Sequence, residues 1–280
     1  IDATSDIGLS AIKIALALKD AYSSKIDFKI AAHPIFGFKE EFVSGKSRWG
    51  VFEEACGMVD VVGALPERDD RPGGIGFDKH LRKVINLGQK LRKPVHIHTD
   101  QSNDPRENHT LDVIEAVRWL GPIENNVPDR PAVWCVHVIS PSSYPEDKFK
   151  KMVEGLVKFN IGVICCPRAA LSMRQNRAIK VPMHNSIARV LEMAYAGVPI
   201  MFGTDNIADM YVPTGSGGML EEVLHFADDA RFYSPEILAK FASGTQLNQS
   251  DTEKIRKHLE EDVKVFKNTD PNFKFCLSLD

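Results

Sequence analysis

The stretch that decides the fold is Val95-His96-Ile97-His98-Thr99-Asp100-Gln101. Its first five residues have the β-branched, alternating character of a short strand, and polar residues follow at once. Five further short apolar runs lie at residues 28–32, 59–65, 133–138, 163–166 and 200–203. Polar residues stand at or just after the end of nearly every run. The pattern predicts six strands whose carboxyl ends carry the polar chemistry.

Segments of helical period separate these runs, at residues 9–22, 77–91, 111–120, 148–159 and 187–196. From residue 59 onward the strand starts recur every 30–38 residues, as in βα units of a parallel sheet. Strands that are apolar on both faces are covered by helices, which leaves a (β/α)₈ barrel or an open doubly wound sheet. Polar strand ends favour the barrel, because barrels build their sites there. The run Gly73-Gly74-Ile75-Gly76 lacks the spacing of a phosphate-binding loop, which also disfavours the open sheet.

Composition sets limits on the partners. The 280 residues carry 35 basic and 38 acidic side chains, a net charge of −3, without a basic stripe for a nucleic-acid polymer. No apolar stretch approaches the roughly 20 residues that span a bilayer. Five cysteines are too few and too apolar in setting for a disulfide framework. We therefore expect a cytoplasmic protein with a small-molecule substrate and no membrane or nucleic-acid partner, and a homo-oligomer is compatible with this sequence.

We expect two regions. Residues 1–245 form the (β/α) barrel domain, and residues 246–280 form an appendage with a charged helix at 251–266 and a strand at 273–279.

Three polar residues stand at equivalent strand ends. His98 closes the third of the six strands, His137 ends the next, and Asp205 follows the last. In a barrel these side chains converge on one mouth. Imidazole and carboxylate together suit a divalent metal such as zinc or iron, in a catalytic site with an open position for water.

These residues carry a resemblance to a known family. With the flanking text Val-His-Ile-His-Thr-Asp-Gln, Gly-Thr-Asp-Asn and Tyr-Val-Pro-Thr-Gly-Ser-Gly-Gly-Met-Leu, the chain resembles the cytosine deaminase branch of the metal-dependent amidohydrolases, and also the related isopropylammelide amidohydrolases. The likeness runs from Ile1 to about Ala242. It implies a TIM-like (β/α)₈ barrel that hydrolyses a non-peptide C–N bond of a cyclic amide, amidine or amino-heterocycle with metal-activated water.

The resemblance also implies roles for individual residues. His98 would be a metal ligand, His137 would polarise the substrate or the attacking water, and Asp205 would bind the metal and accept the proton of that water. Tyr211 falls where the family places an aromatic ring over the substrate, although an ordinary loop tyrosine is the alternative.

Departures from the family pattern modify this expectation. The His-x-His pair of strand one has no counterpart, so the chain is expected to lack strand one and most of the accessory β-sandwich domain. The single divalent metal is then expected to be weakly bound or absent, unless another residue supplies ligands. Gln101 replaces the family's proton-shuttling glutamate, so we place it among the catalytic and substrate-binding residues without a titrating role. Ile35 replaces a pyrimidine-gripping glutamine, which with Phe36 predicts a more apolar pocket.

Two other classes stay open. One is a truncated or catalytically silent barrel relative without a complete metal site. The other is an unrelated barrel, such as a metal aldolase or phosphoesterase, which would need different ligands at its strand ends. We further expect His33 either at the pocket or behind it, His184 at the surface, and Glu221, Glu222 and His225 on a solvated helix face.

Overall fold

The computed structural model describes residues 1–4, 6–39, 42–43, 46–124, 130–173 and 187–278. The chain divides into two compact units. Unit 1 comprises Ile1–Thr99 and Glu115–Trp134, and unit 2 comprises Asp100–Ile114 and Cys135–Asp280. Within the described residues, every helix is too short or too polar to span a bilayer.

Unit 1 alternates helices with strands. Its elements are α1 (Ser10–Ala21), β1 (Ala31–Ala32), β2 (Phe42–Val43), β3 (Lys46–Ser47), α2 (Arg48–Met58), β4 (Val61–Ala64), a 3₁₀ turn (Pro66–Arg68), α3 (Phe77–Leu91) and β5 (Val95–Thr99). Two elements, α4 (His109–Leu120) and β6 (Val133–His137), contribute residues to both units.

Unit 2 continues the alternation and ends in helices. After a 3₁₀ turn (Ser140–Ser143) come α5 (Glu146–Lys158), β7 (Ile161–Cys165), α6 (Pro167–Ser172), α7 (Val190–Tyr195), β8 (Ile200–Phe202), α8 (Met219–Asp229), α9 (Pro235–Ser243) and α10 (Gln249–Thr269). A capping box starts α10, because Asn248 and Asp251 exchange backbone and side-chain hydrogen bonds of 2.8 and 3.0 Å.

The strands are parallel, apart from the antiparallel hairpin of β2 and β3. Their order is β1-β4-β5 in unit 1 and β6-β7-β8 in unit 2. In unit 1 Ala32 pairs with Val62, and Val62 pairs with Val95; Asp2 adds a parallel bridge to His33 at the outer side of β1. In β6 and β7 every residue is buried, as expected for strands that helices cover.

Each unit has an apolar core beneath its helices. In unit 1, Phe52, Leu81 and Ile97 are almost completely buried. In unit 2, Phe202 of β8 packs against Phe226 of α8 and Phe241 of α9, with ring centroids 5.0 and 5.5 Å away. The alternation predicted from the sequence is confirmed: α3 and β5 have the predicted bounds, and the other predicted helices and strands up to α10 are present within a few residues.

Some expectations need correction. The first strand is only two residues long, and α2 and the β2–β3 hairpin were not predicted. Residues 270–278 contain no strand; instead Phe273 packs against Phe266 at 5.3 Å and the Cys276 N–H donates to Glu146 Oε2 at 3.1 Å. A ring contact and a hydrogen bond to a side chain fix this segment, and no strand ladder is needed. His184 and Leu279 lie outside the described residues, and the division of the chain at residue 245 stays a prediction.

Candidate functional site

Unit 1 brings two histidines together at the carboxyl ends of its strands. The ring centroids of His33, which follows β1, and His98, in β5, lie 5.0 Å apart with the ring planes at 65°. The strand between them, β4, carries Gly63. A Cβ on Gly63 would lie 2.5 Å from the carbonyl oxygen of Ala32 and 3.0 Å from Cδ2 of His33. The glycine therefore leaves the space that the His33 ring occupies.

His33 is a neutral imidazole in this setting. Desolvation by burial lowers its pKa to about 3. Its Nδ1 lies 3.9 Å from Oδ1 of Asp2. Its Nε2 is buried and has no hydrogen-bond partner among the residues that the structure describes. Of the two sequence-based alternatives for His33, a place at the site is favoured, because the ring contacts His98.

In unit 2, Asp100 joins the end of β5 to helix α4. Its carboxylate is fully buried and accepts the N–H groups of His109 and Thr110, each at 2.9 Å. Its carbonyl oxygen accepts the N–H groups of Ile139 and Ser140, both at 2.9 Å. Asp100 thus caps the positive end of α4 and ties the segment after β5 to the segment after β6.

Non-glycine residues with positive φ follow three strands. Asp100 has a φ of 49°, His137 at the end of β6 and Val138 after it have values of 79° and 53°, and Asp205, three residues after β8, has 56°. This region is unfavourable for residues with a Cβ, and most of all for β-branched ones such as Val138. Such strain persists only where surrounding structure enforces it, and it clusters at functional sites. His137 and Asp205, both predicted as catalytic, are therefore held in specially built backbone positions of unit 2.

Asp100, Glu107 and His109 form a group that sequence reasoning missed. One ligand atom from each lies within 4.8 Å of the others, close enough for a shared cation. Hydrogen bonds already engage both oxygens of Asp100 and Oε2 of Glu107, however. Glu107 Oε2 accepts from Ser140 Oγ at 2.5 Å and from the Ser102 N–H at 3.2 Å, and both oxygens of Asp100 cap α4. Burial raises the pKa of Glu107, which further disfavours a charged ligand. The group is better described as a capping network than as a ready cation site.

Asp205 begins a loop with its own internal bonds. Asp209 Oδ1 accepts the N–H groups of Tyr211 and Val212, both at 2.9 Å, and the Ala208 N–H donates to the Gly215 carbonyl at 2.8 Å. Asp205 is exposed, and Tyr211 is 64% exposed, so its ring is available to a ligand. The roles of both residues stay predictions.

The remaining predicted site residues lie in the same segments. Gln101 follows Asp100 and is half-buried. Ile35 is half-buried after β1, whereas Phe36 is 58% exposed, with the Arg48 guanidinium 5.7 Å from its ring centroid. An apolar pocket at these residues stays a prediction, as does the convergence of His98 with His137 and Asp205 on one cavity.

The solvated helix face expected at residues 221–225 is wrong for one member. Glu222 is only 2% exposed, and its Oε2 accepts the Arg168 N–H at 2.9 Å at the start of α6. Burial raises its pKa. Glu221 in turn binds the Arg168 guanidinium at 2.6 Å. A tertiary contact, invisible in the helical period, therefore buries Glu222.

Solved structures of other proteins share this architecture. Two solved structures of 5-methylcytosine deaminase from Klebsiella pneumoniae, with 5-fluorocytosine and with phosphonocytosine, match 86% of this chain at 22% identity, with TM-scores of 0.71 and 0.72. N-isopropylammelide isopropylaminohydrolase from Burkholderia multivorans matches 87% at 16% identity, with a TM-score of 0.66. The chain spans 56–57% of those chains.

One curated relative is an uncharacterized protein of Haemophilus influenzae, 27% identical over 183 residues, which are 65% of this chain and 61% of the relative. No family's sequence profile matches the chain. The chain shares the α/β barrel fold of these enzymes, which confirms the fold class predicted from the sequence and, at the level of the fold, the resemblance.

Proposed function

We propose that this protein is a metal-dependent hydrolase of a non-peptide C–N bond in a cyclic amide, amidine or amino-heterocycle. The observation that carries the proposal is the left-handed backbone at His137, the last residue of β6, and at Asp205, three residues after β8, in a fold that the 5-methylcytosine deaminase structures share. Because such strain needs a compensating role, we assign chemistry to these two side chains. The solved relatives include a cytosine-type deaminase and an aminohydrolase, and both names denote C–N cleavage.

In the proposed reaction, the carboxylate of Asp205 accepts the proton of the attacking water and relays it to the leaving nitrogen. His137 donates a hydrogen bond to the substrate oxygen or nitrogen and thereby polarises the bond under attack. A divalent zinc or iron ion, held by His98 and Asp205, would supply Lewis-acid activation at this edge. The ligand chemistry fits, because imidazole and carboxylate are donors that both metals accept.

The substrate side of the proposal involves apolar and amide groups. Ile35 and Phe36 would line the pocket, Tyr211 would cover the ring, and Gln101 would hydrogen-bond to the substrate. An amide has no titrating proton, so Gln101 orients and does not shuttle. The presence of Gln101 in place of the family's glutamate also supports the second candidate, a catalytically silent relative. We further propose a reducing, cytoplasmic setting, since all five cysteines are free thiols and four are buried.

The test compares variants in steady-state assays on a panel of amino-heterocycles and cyclic amides with zinc or iron present. Asp205→Asn should abolish turnover, because a carboxamide cannot accept the proton. Gln101→Ala should lose much less than the roughly 10²- to 10⁴-fold of a proton shuttle. Asp228→Asn, at an exposed aspartate of α8, is the control. Wild-type turnover in Asp205→Asn would reject the mechanism, and an inert wild-type chain across the panel would favour the silent relative.

A further inference from the structure

The histidine pair at the strand ends of unit 1 has the spacing of two ligands of one metal ion. The ring centroids of His33 and His98 are 5.0 Å apart, with the rings at 65°. Zinc–nitrogen bonds of about 2.0–2.1 Å and a tetrahedral angle place two imidazole centroids about 5 Å apart. An edge-to-face aromatic contact has a similar spacing, so a second observation must decide between the two.

That second observation is the state of His33 Nε2. This nitrogen is buried and has no hydrogen-bond partner among the described residues. Nearly all buried polar side-chain atoms in proteins have a partner, and a missing one is explained by strain, a catalytic role, or a bound water or ion. An aromatic contact alone would leave the lone pair of Nε2 without compensation.

The other nitrogen of His33 has a carboxylate nearby. Its Nδ1 lies 3.9 Å from Oδ1 of Asp2, beyond hydrogen-bond distance but close enough for the carboxylate to bond to it after a small shift. Carboxylates behind ligating imidazoles fix the tautomer and leave the far nitrogen free for metal. Gly63 completes the arrangement, since a Cβ there would lie 3.0 Å from the His33 ring.

We propose that His33 is a ligand of the divalent metal, bound through Nε2 together with His98, with Asp2 as the residue that positions its ring. The inference rests on the proposed function in that His98 is the shared ligand. It supplies, from the residue that follows β1, a donor that the resemblance drawn from the sequence did not assign. It also predicts measurable binding where the sequence alone predicts partial or no occupancy.

The test is a calorimetric titration of the EDTA-treated 280-residue chain with Zn²⁺ at pH 7.5. His33→Ala and His98→Ala should each weaken zinc affinity by about 10-fold or more, and Asp2→Asn by about 10-fold. His96→Ala is the matched control, a half-buried histidine of the same strand whose ring faces Trp134 at 6.4 Å. Its zinc affinity should match the wild type.

Two further measurements keep the outcome clear. If His33→Ala fails to fold, as judged by circular dichroism, His33→Gln replaces it and should show the same loss. In the wild-type chain, the ¹⁵N resonance of His33 Nε2 should shift on zinc addition, whether or not any variant folds.

The results separate this inference from the proposed function. If only His98→Ala weakens binding, His33 is not a ligand and the inference is overturned, while the hydrolase proposal stands. If neither variant changes zinc affinity and the His33 resonance does not move, the inference fails together with His98 as metal ligand. Loss in both variants with an unchanged His96→Ala supports it.

Discussion

Asp100→Ala should destabilise the protein by about 4 kcal/mol. The carboxylate is fully buried and accepts two helix N–H groups at 2.9 Å, from His109 and Thr110, and Thr110 is itself fully buried. Hydrogen bonds to a charged group contribute about 1.5–3 kcal/mol each. Alanine at a φ of 49° adds about 1 kcal/mol of backbone strain. Because the start of helix α4 can partly relax, we expect a loss near the lower end of the sum of the two hydrogen bonds and the strain.

The matched variants isolate the capping role. Asp100→Asn keeps one acceptor and tolerates the left-handed backbone, so it should lose only about 2 kcal/mol. Asp78→Ala removes an aspartate from the first turn of α3, where its side chain is 72% exposed and pairs with Arg82. That control should lose less than about 1 kcal/mol. Urea unfolding followed by circular dichroism, with linear extrapolation, measures all three.

A different result would refute the capping argument. If Asp100→Asn unfolds at the wild-type urea midpoint but binds zinc at least about 10-fold more weakly, the Asp100–Glu107–His109 group is a cation site and not a capping network. An Asp100→Ala loss no larger than that of Asp78→Ala would show that water replaces the cap.

Two further predictions concern unit 1. Burial lowers the pKa of His80, whose Nδ1 lies 2.6 Å from Asp69 Oδ2, so the native state holds fewer protons than the unfolded chain below pH 6.5. Its share of stability is therefore present above pH 6.5 and lost as the pH falls. Burial also lowers the pKa values of His33 and His96, which titrate in both proteins, so urea unfolding of the wild type should lose up to about 1 kcal/mol more between pH 7 and 5.5 than that of a His80→Gln variant; equal slopes in both proteins would contradict the prediction. Gly63→Ala should lose about 2 kcal/mol, because its Cβ would lie 2.5 Å from the Ala32 carbonyl oxygen. Gly57→Ala in helix α2, with no atom within 4 Å of its Cβ, should instead gain about 0.5–1 kcal/mol, and similar effects of both changes on the melting temperature would rule out the steric reason.

The elements that sequence reasoning predicted best are those whose pattern is local. Helix α3 and strand β5 have the predicted bounds, since a strong 3.6-residue period and a run of strand-forming residues are each complete within a few turns or residues. The two-residue β1 was predicted longer, because its apolar run includes Phe28, which is 40% exposed. Apolar character alone does not establish a partner strand.

The residues of the candidate site also differ in whether a local sequence pattern could predict them. Residue type and spacing were enough to select His98, His137 and Asp205 as strand-end residues, because strand ends are set by local pattern. Contacts between distant segments could not be predicted from local sequence patterns. Glu222 is buried where it accepts the N–H of Arg168, 54 residues away. Asp100 caps a helix that starts nine residues later, beyond the span of a local capping box. The only sign of this cap in the sequence is an aspartate directly after a buried strand, with a helix further along the chain.

Left-handed residues also occur away from the strand ends, in loops at Asn103 and Ala208 and after helices. Arg92, Asn160 and Arg231 also have positive φ, at 52°, 49° and 50°, but each closes or follows a helix, where such a residue is a common ending. At the strand ends no helix needs to be terminated, and glycine would be the inexpensive choice.

His137, Val138 and Asp205 instead keep their side chains at an expected cost of about 1–2 kcal/mol each. That total is a substantial part of the roughly 5–15 kcal/mol by which a domain is stable. The two N–H groups that Asp100 binds just after Val138 help to hold the conformation. Stability alone does not explain why histidine and aspartate stand where glycine would fit. We propose that these positions present an imidazole and a carboxylate at the strand ends, and for this reason the proposed chemistry falls on these residues rather than on the buried polar groups around them.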